Sequence, residues 1–197
     1  AIRAFHGYGV MRKHQKLDWQ QLVRELGAGE VPDPKAQRPK WHYDNLLRLS
    51  VQPMIVSPGE VLHAVIIATY NESREVLEPT IKSVLGSEYD MKKVILMIAY
   101  EERGGDRVEQ QANELINEYK DRFYHTMAIK HPDGIPGELR GKGGNVTYAG
   151  RKLQQWLEQE QIDPLRVVVT TLDSDNRPDK KYLAALTYVY SSCPDPV

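Results

Sequence analysis

Four short apolar runs rich in β-branched residues, alternating with helical patterns, constrain this chain more than anything else in it. Val61 to Ala68, Lys93 to Ala99, Tyr124 to Lys130 and Leu165 to Leu172 read as strands. Ser73 to Gly86, Asp106 to Arg122 and Gly144 to Gln159 read as the helices between them, and Asp179 to Ser192 as a closing helix. Val108, Ala112, Leu115, Ile116 and Tyr119 share one face of the second helix, and Ala149, Leu153, Trp156 and Leu157 one stripe of the third. Strands that alternate with helices imply a parallel sheet covered on both faces. Continuous rather than alternating apolar strands agree with this, because such strands are buried on both sides. The chain is therefore read as α/β.

The beginning differs. Residues 1–55 read as a basic arm with a short helix, and residues 56–197 as the α/β domain. Trp19, Leu22, Val23 and Leu26 form a helical stripe, with Asp18 placed to cap its start and Gly27 its end. Pro32, Pro34 and Pro39 make a link after it. Pro53 and Pro58 argue against a central strand in residues 41–60, which carry no clear pattern. Residues 1–52 hold nine Lys/Arg against five Asp/Glu, a net of +4, and residues 53–197 hold 17 against 22, a net of −5.

The whole chain of 197 residues has a net charge of −1, so no overall basic excess points to nucleic acid. The lone Cys193 excludes an intrachain disulfide. The longest apolar run, Val94 to Tyr100, falls far short of the roughly 18 residues of a membrane span. A start at Ala1 rather than Met suggests a piece of a longer protein.

In open parallel sheets ligands bind beyond the carboxyl ends of the strands. The segments there are Thr69-Tyr70-Asn71-Glu72, Tyr100 to Gly105, His131 to Gly134 and Asp173-Ser174-Asp175-Asn176. Two carboxylates two residues apart at a strand end repel unless paired, and Mg²⁺ or Mn²⁺ bound with substrate phosphates relieves that repulsion. The alternative for Asp173 and Asp175 is a solvated turn that caps the next helix. Gly141-Lys142-Gly143-Gly144-Asn145 opens a helix whose amino terminus, glycines and lysine suit a diphosphate. It is not a P-loop, because no Ser or Thr follows Lys142. Tyr70 is placed to stack on a base and Glu72 to accept from a base or ribose. Asn71 or Ser73 can cap the following helix at the same time. The six histidines show no metal spacing, His63 reads as a core or edge residue, and Ser174 lacks a nucleophile-elbow pattern.

Val65 to Glu72, Gly141 to Asn145 and Leu172-Asp-Ser-Asp175 with Pro178-Asp179 and Tyr182-Leu183, in this order, resemble a family 2 glycosyltransferase. The resemblance covers residues 61–197 and is nearest to the cellulose synthase and hyaluronan synthase type. It implies a GT-A-like, Rossmann-type, mostly parallel sheet that is truncated at its carboxyl end. It also implies transfer of a sugar, with inversion, from a nucleoside diphosphate (a UDP-linked one by expectation) to a saccharide or lipid acceptor. Thr69, Tyr70, Asn71 and Glu72 would hold base and ribose, and Lys142 would lie near the uracil or diphosphate. Asp175 would ligate Mg²⁺ or Mn²⁺, with Asp173 nearer the ribose or sugar. Glu101 stands where the family has an Asp on the base, a departure from the pattern. Val197 follows Asp175 by 22 residues, and no Thr-Glu-Asp or Gln-x-x-Arg-Trp motif is present, so the catalytic base is expected downstream of this chain.

Two other classes compete. A sugar nucleotidyltransferase would want a glycine-rich loop after the first strand, where Thr69 to Glu72 contains no glycine. A non-catalytic nucleotide-binding or interaction module would keep the fold without needing Asp175. The basic arm, with Arg3, Arg12, Lys13 and Lys16 among Phe5, Tyr8, Val10 and Met11, suggests a segment beside the cytoplasmic face of a membrane, reached through the parent protein. Vesicle co-sedimentation checks this: binding to anionic but not neutral vesicles, weakened by salt, is the expected result.

Overall fold

The computed structural model describes residues 2–138 and 141–194, with side chains from His6 onward. The side chains of Arg3 and Phe5 in the basic arm thus lie outside the described set. Seven α-helices and four strands follow in the order α1 (Ile2–Gln15), α2 (Trp19–Ala28), α3 (Lys40–Leu49), β1 (Leu62–Thr69), α4 (Arg74–Leu85), β2 (Val94–Glu101), α5 (Asp106–Tyr119), β3 (His125–His131), α6 (Lys142–Gln159), β4 (Val167–Asp173) and α7 (Tyr182–Ser192). They divide into two compact units, residues 1–59 with 181–197 and residues 60–180.

The larger unit is the α/β one. Its strands are all parallel, in the order β3-β2-β1-β4. The chain moves outward from β1 to β2 to β3, then crosses back to place β4 on the other side of β1. Right-handed crossovers therefore put α4 and α5 on one face of the sheet and α6 on the other. Ala64 and Ile66 of β1 and Ile95, Met97 and Ala99 of β2 pack with Ala149, Leu153 and Leu157 of α6. The alternate residues Val65, Ile67, Leu96 and Ile98 are equally buried on the opposite face, as are Leu77 and Ile81 of α4 and Val108 and Leu115 of α5. A side chain such as Ile98 or Leu96, removed wholly from water, contributes about 2 kcal/mol from its apolar area.

The expected α/β class, a Rossmann-type parallel sheet with helices on both faces, is what the structure contains. Its edges differ from the expectation of four fully buried strands. β1 and β2 are buried throughout, whereas most of β3 is half-buried and Val169 of β4 is 51% exposed. The two outer strands have one strand neighbour each among the described residues, so their side chains meet fewer partners.

The smaller unit is helical. Trp19 of α2 stacks on Trp41 of α3 with ring centroids 5.7 Å apart, and Tyr188 of α7 meets both edge-on. The Tyr188 hydroxyl lies 2.8 Å from His42 Nδ1, and His42 Nε2 lies 3.0 Å from Glu25. Arg38 forms an ion pair with the same Glu25 and, against the opposing effect of burial, holds its carboxyl at about 2. The sequence reading runs the second domain to residue 197. In the structure α7 groups with the amino-terminal helices instead, because its aromatic and apolar face packs on α2 and α3. The arm contains two helices the pattern did not predict, α1 and α3. Gly29, with φ 67°, ends α2 where Gly27 was expected. No described helix is long and apolar enough to cross a membrane.

His63 on β1 is fully buried, and burial pushes its imidazole from the usual 6.5 down to about 4. The unfolded chain takes up a proton on this ring near 6.5 and the folded chain only near 4, so acidification across that window favours unfolding. Replacing His63→Phe should flatten the fall in stability between these two pH values by up to about 3 kcal/mol, read from urea unfolding curves at both ends.

Candidate functional site

The reversal of strand order between β1 and β4 makes a crevice at their carboxyl ends, the place where open α/β sheets bind ligands. Register brings the candidate segments together there. Ala68 of β1 pairs with Asp173 of β4, Thr69 pairs with Tyr100 of β2, and Glu101 pairs with His131 of β3.

Asp173 is the last residue of β4 and shares the register of Ala68. Its side chain therefore points to the face that α6 covers. The Lys142 ammonium from the first turn of α6 forms an ion pair with Asp173 Oδ1, both side chains being about half exposed. Asp175 is exposed, and no ion pair among the described residues engages it. Neither aspartate caps α7, whose amino-terminal cap is Lys181. The Asn176 amide instead closes a turn on the Asp173 carbonyl at 3.1 Å.

The turn between these aspartates is anchored from α4. The Thr80 hydroxyl donates to the Ser174 carbonyl at 2.5 Å and accepts from Arg177 Nη1. Arg177 also donates to the carbonyls of Val76 and Asn176. Sequence reasoning missed both residues. Arg177 stands two positions after Asp175, a visible signal, while nothing in the sequence marks Thr80.

Helix α6 begins at Lys142, two residues before the expected start, with Gly141 as its cap and no capping side chain. Gly143 and Gly144 of the motif therefore lie inside the first turn, and the Glu138 carboxylate occupies the space a Cβ on Gly144 would fill. An open groove of about 570 Å³ runs along this end of α6 past Pro136, Glu138, Thr147 and Arg151. Asn145, also buried, donates to the carbonyls of Ala99 at 2.9 Å and Thr69 at 3.4 Å, tying α6 to the ends of β1 and β2. Its Oδ1 is buried without a hydrogen-bond partner.

Beyond β1, Glu72 turns back on its own loop. One of its oxygens accepts from the Thr69 hydroxyl at 2.6 Å and from the amides of Tyr70 and Asn71 at 2.7 and 3.2 Å. Burial opposes ionisation, yet these donors hold the carboxyl below the usual range. Ser73 caps α4 in extended conformation without a side-chain capping bond. Tyr70 is 40% exposed, with the Arg103 guanidinium 4.4 Å from the centre of its ring.

Glu101, expected on a base, is buried. Its carboxylate lies 3.2 Å from Arg103 Nε and 3.4 Å from His131 Nδ1. His131 Nε2 comes within 3.3 Å of Glu138, close enough for an ion pair but without hydrogen-bond alignment.

No group of three or more His, Cys, Asp or Glu among the described residues forms a ready metal cage. Asp173 and Asp175 nonetheless offer two hard oxygen donors on one turn. That is the set Mg²⁺ or Mn²⁺ uses when substrate phosphates complete its shell.

No protein-family model matches the chain, and no curated protein matches it. Among solved structures it is similar to the mannosyltransferase PcManGT from Pyrobaculum calidifontis in complex with GDP-Man and Mn²⁺, with a TM-score of 0.47 and 18% identity over 87% of this chain. The chain spans 44% of that protein's length.

Because one Glu72 oxygen serves three donors of its own loop, Glu72→Met, which removes the acceptor, should destabilise the protein by about 1 to 2 kcal/mol. Urea unfolding at neutral pH checks this. Unchanged stability would mean the carboxylate does not hold the loop.

Proposed function

We propose that this chain forms the donor-binding part of a metal-dependent glycosyltransferase. In this reading it takes a nucleoside diphosphate sugar, by preference a UDP-linked one, and serves inverting transfer of the family 2 kind. The observation that carries the reading is the convergence, at one topological switch point, of the Thr69–Glu72 turn, Lys142 and the Asp173–Asp175 turn. A base, a diphosphate and a cation need such a set of an aromatic surface, an ammonium and two carboxylates.

Each residue then has a task. Tyr70 offers its ring to the base, with Arg103 behind it. Glu72 shapes the loop that presents Tyr70 and Asn71, so its part in holding ribose is indirect. Lys142 balances phosphate charge and pairs with Asp173. Asp173 and Asp175 would hold Mg²⁺ or Mn²⁺, which offsets the charge that develops on the departing diphosphate. Glu101 orients Arg103 and His131 from below. The proton of the acceptor hydroxyl is taken by a base outside this set. A saccharide or lipid acceptor, and attachment of the parent protein at the cytoplasmic face of a membrane, complete the proposal.

Titration calorimetry with UDP and with GDP, each with Mn²⁺ or Mg²⁺, tests it; GDP-mannose belongs in the panel because the mannosyltransferase holds it. Asp175→Asn should weaken metal-dependent binding about tenfold or more, about 1.4 kcal/mol, and Asp173→Asn less, since Lys142 already neutralises that carboxylate. A folded chain that binds none of these nucleotides with either cation would sink the reading.

A further inference from the structure

We infer that Thr80 and Arg177 are positioning residues that hold the Asp173–Asp175 turn in the shape needed to bind a divalent cation with a nucleoside diphosphate. The inference rests on the donor-site reading above and adds to it two residues that touch neither ligand.

The two carboxylates of the turn are held differently. Asp173 has its side chain tied to Lys142. No ion pair among the described residues engages Asp175, so the path of the backbone, rather than a side-chain partner, sets the region its carboxylate can reach. That path is set at Ser174, between the two. Ser174 is buried, and its carbonyl accepts the hydroxyl of Thr80, which is 0% exposed. The bond orients the peptide that leads into Asp175. Two like charges this close in sequence push apart, so a turn without this bond is free to splay.

Arg177 closes the same turn from its far side. Its guanidinium donates to the Thr80 hydroxyl oxygen, to the Val76 carbonyl at 3.2 Å and to the Asn176 carbonyl at 2.9 Å. Those acceptors commit it to the protein, so it is not disposed as a phosphate ligand. The acceptors on α4 lie around Pro79, which lacks the amide that would serve the Glu75 carbonyl. The next carbonyl along, that of Val76, is the one Arg177 reaches. Thr80 thus sits at the centre of a chain of bonds from α4 through Arg177 and Ser174 to the carboxylate pair. Residues that orient metal ligands in this way commonly change metal affinity when they are removed.

Calorimetry of UDP binding with saturating Mn²⁺ and again in EDTA, alongside melting curves, tests the inference on the full chain. Thr80→Val keeps the shape and loses the hydroxyl. It should weaken UDP binding about tenfold in Mn²⁺ and leave the EDTA value unchanged. Thr80→Ser should restore wild-type binding. The Thr80→Val, Asp175→Asn double variant should lose little more than Asp175→Asn alone, because both act on one ligand. If Thr80→Val does not fold, exposed Arg177→Gln serves instead, with the same loss expected only in Mn²⁺. A lower melting temperature with Mn²⁺-dependent binding intact, or equal losses with and without Mn²⁺, overturns the inference and leaves the donor-site reading standing. Wild-type protein that binds no nucleotide overturns both.

Discussion

Everything in the larger unit depends on the burial of β1 and β2 on both faces. The sixteen residues of these two strands are buried without exception. Such a pair demands helices above and below it, and right-handed crossovers determine which helix goes where. Once α4 and α5 lie on one side and α6 on the other, the sheet must change direction next to β1. The crevice is a consequence of that reversal rather than an additional feature.

Charge within the crevice is compensated locally. Glu72 is held as a carboxylate by neutral hydrogen-bond donors of its own loop, while Asp173 is paired with Lys142 and Glu101 with Arg103 beside buried His131. Asp175 is the exposed carboxylate of this set that no ion pair among the described residues engages. The Lys142 ammonium and the Tyr70 ring are partly exposed as well. The amino terminus of α6 adds a field that favours anionic groups in general.

Several elements were legible because their physics is local. The apolar runs of β1 and β2, and the stripes of α5 and α6, required only periodicity and residue type. Their ends moved by at most three residues, as with Arg122, expected at the end of α5 but lying in a 3-10 turn after Tyr119. The arm was harder. α1 has apolar and basic residues without a one-sided stripe, so periodicity did not reveal it, and α7 reads by pattern as one more covering helix. Its partner became evident only when Tyr188 met Trp19 and Trp41.

The sequence by itself determined the class of fold and the chemical content of the strand ends: an aromatic and a carboxylate after β1, a lysine among glycines at α6, and paired aspartates after β4. These follow from residue type and short spacing, which need no knowledge of distant contacts. Tertiary structure decided the use of each group. Glu72 became a loop brace and Glu101 a buried partner of Arg103 and His131, because their neighbours lie within reach of their carboxylates. Thr80 and Arg177 gained their place at Ser174 only through the bonds that join α4 to the turn after β4. Such contacts span 94 to 97 residues of chain, and no local pattern encodes them.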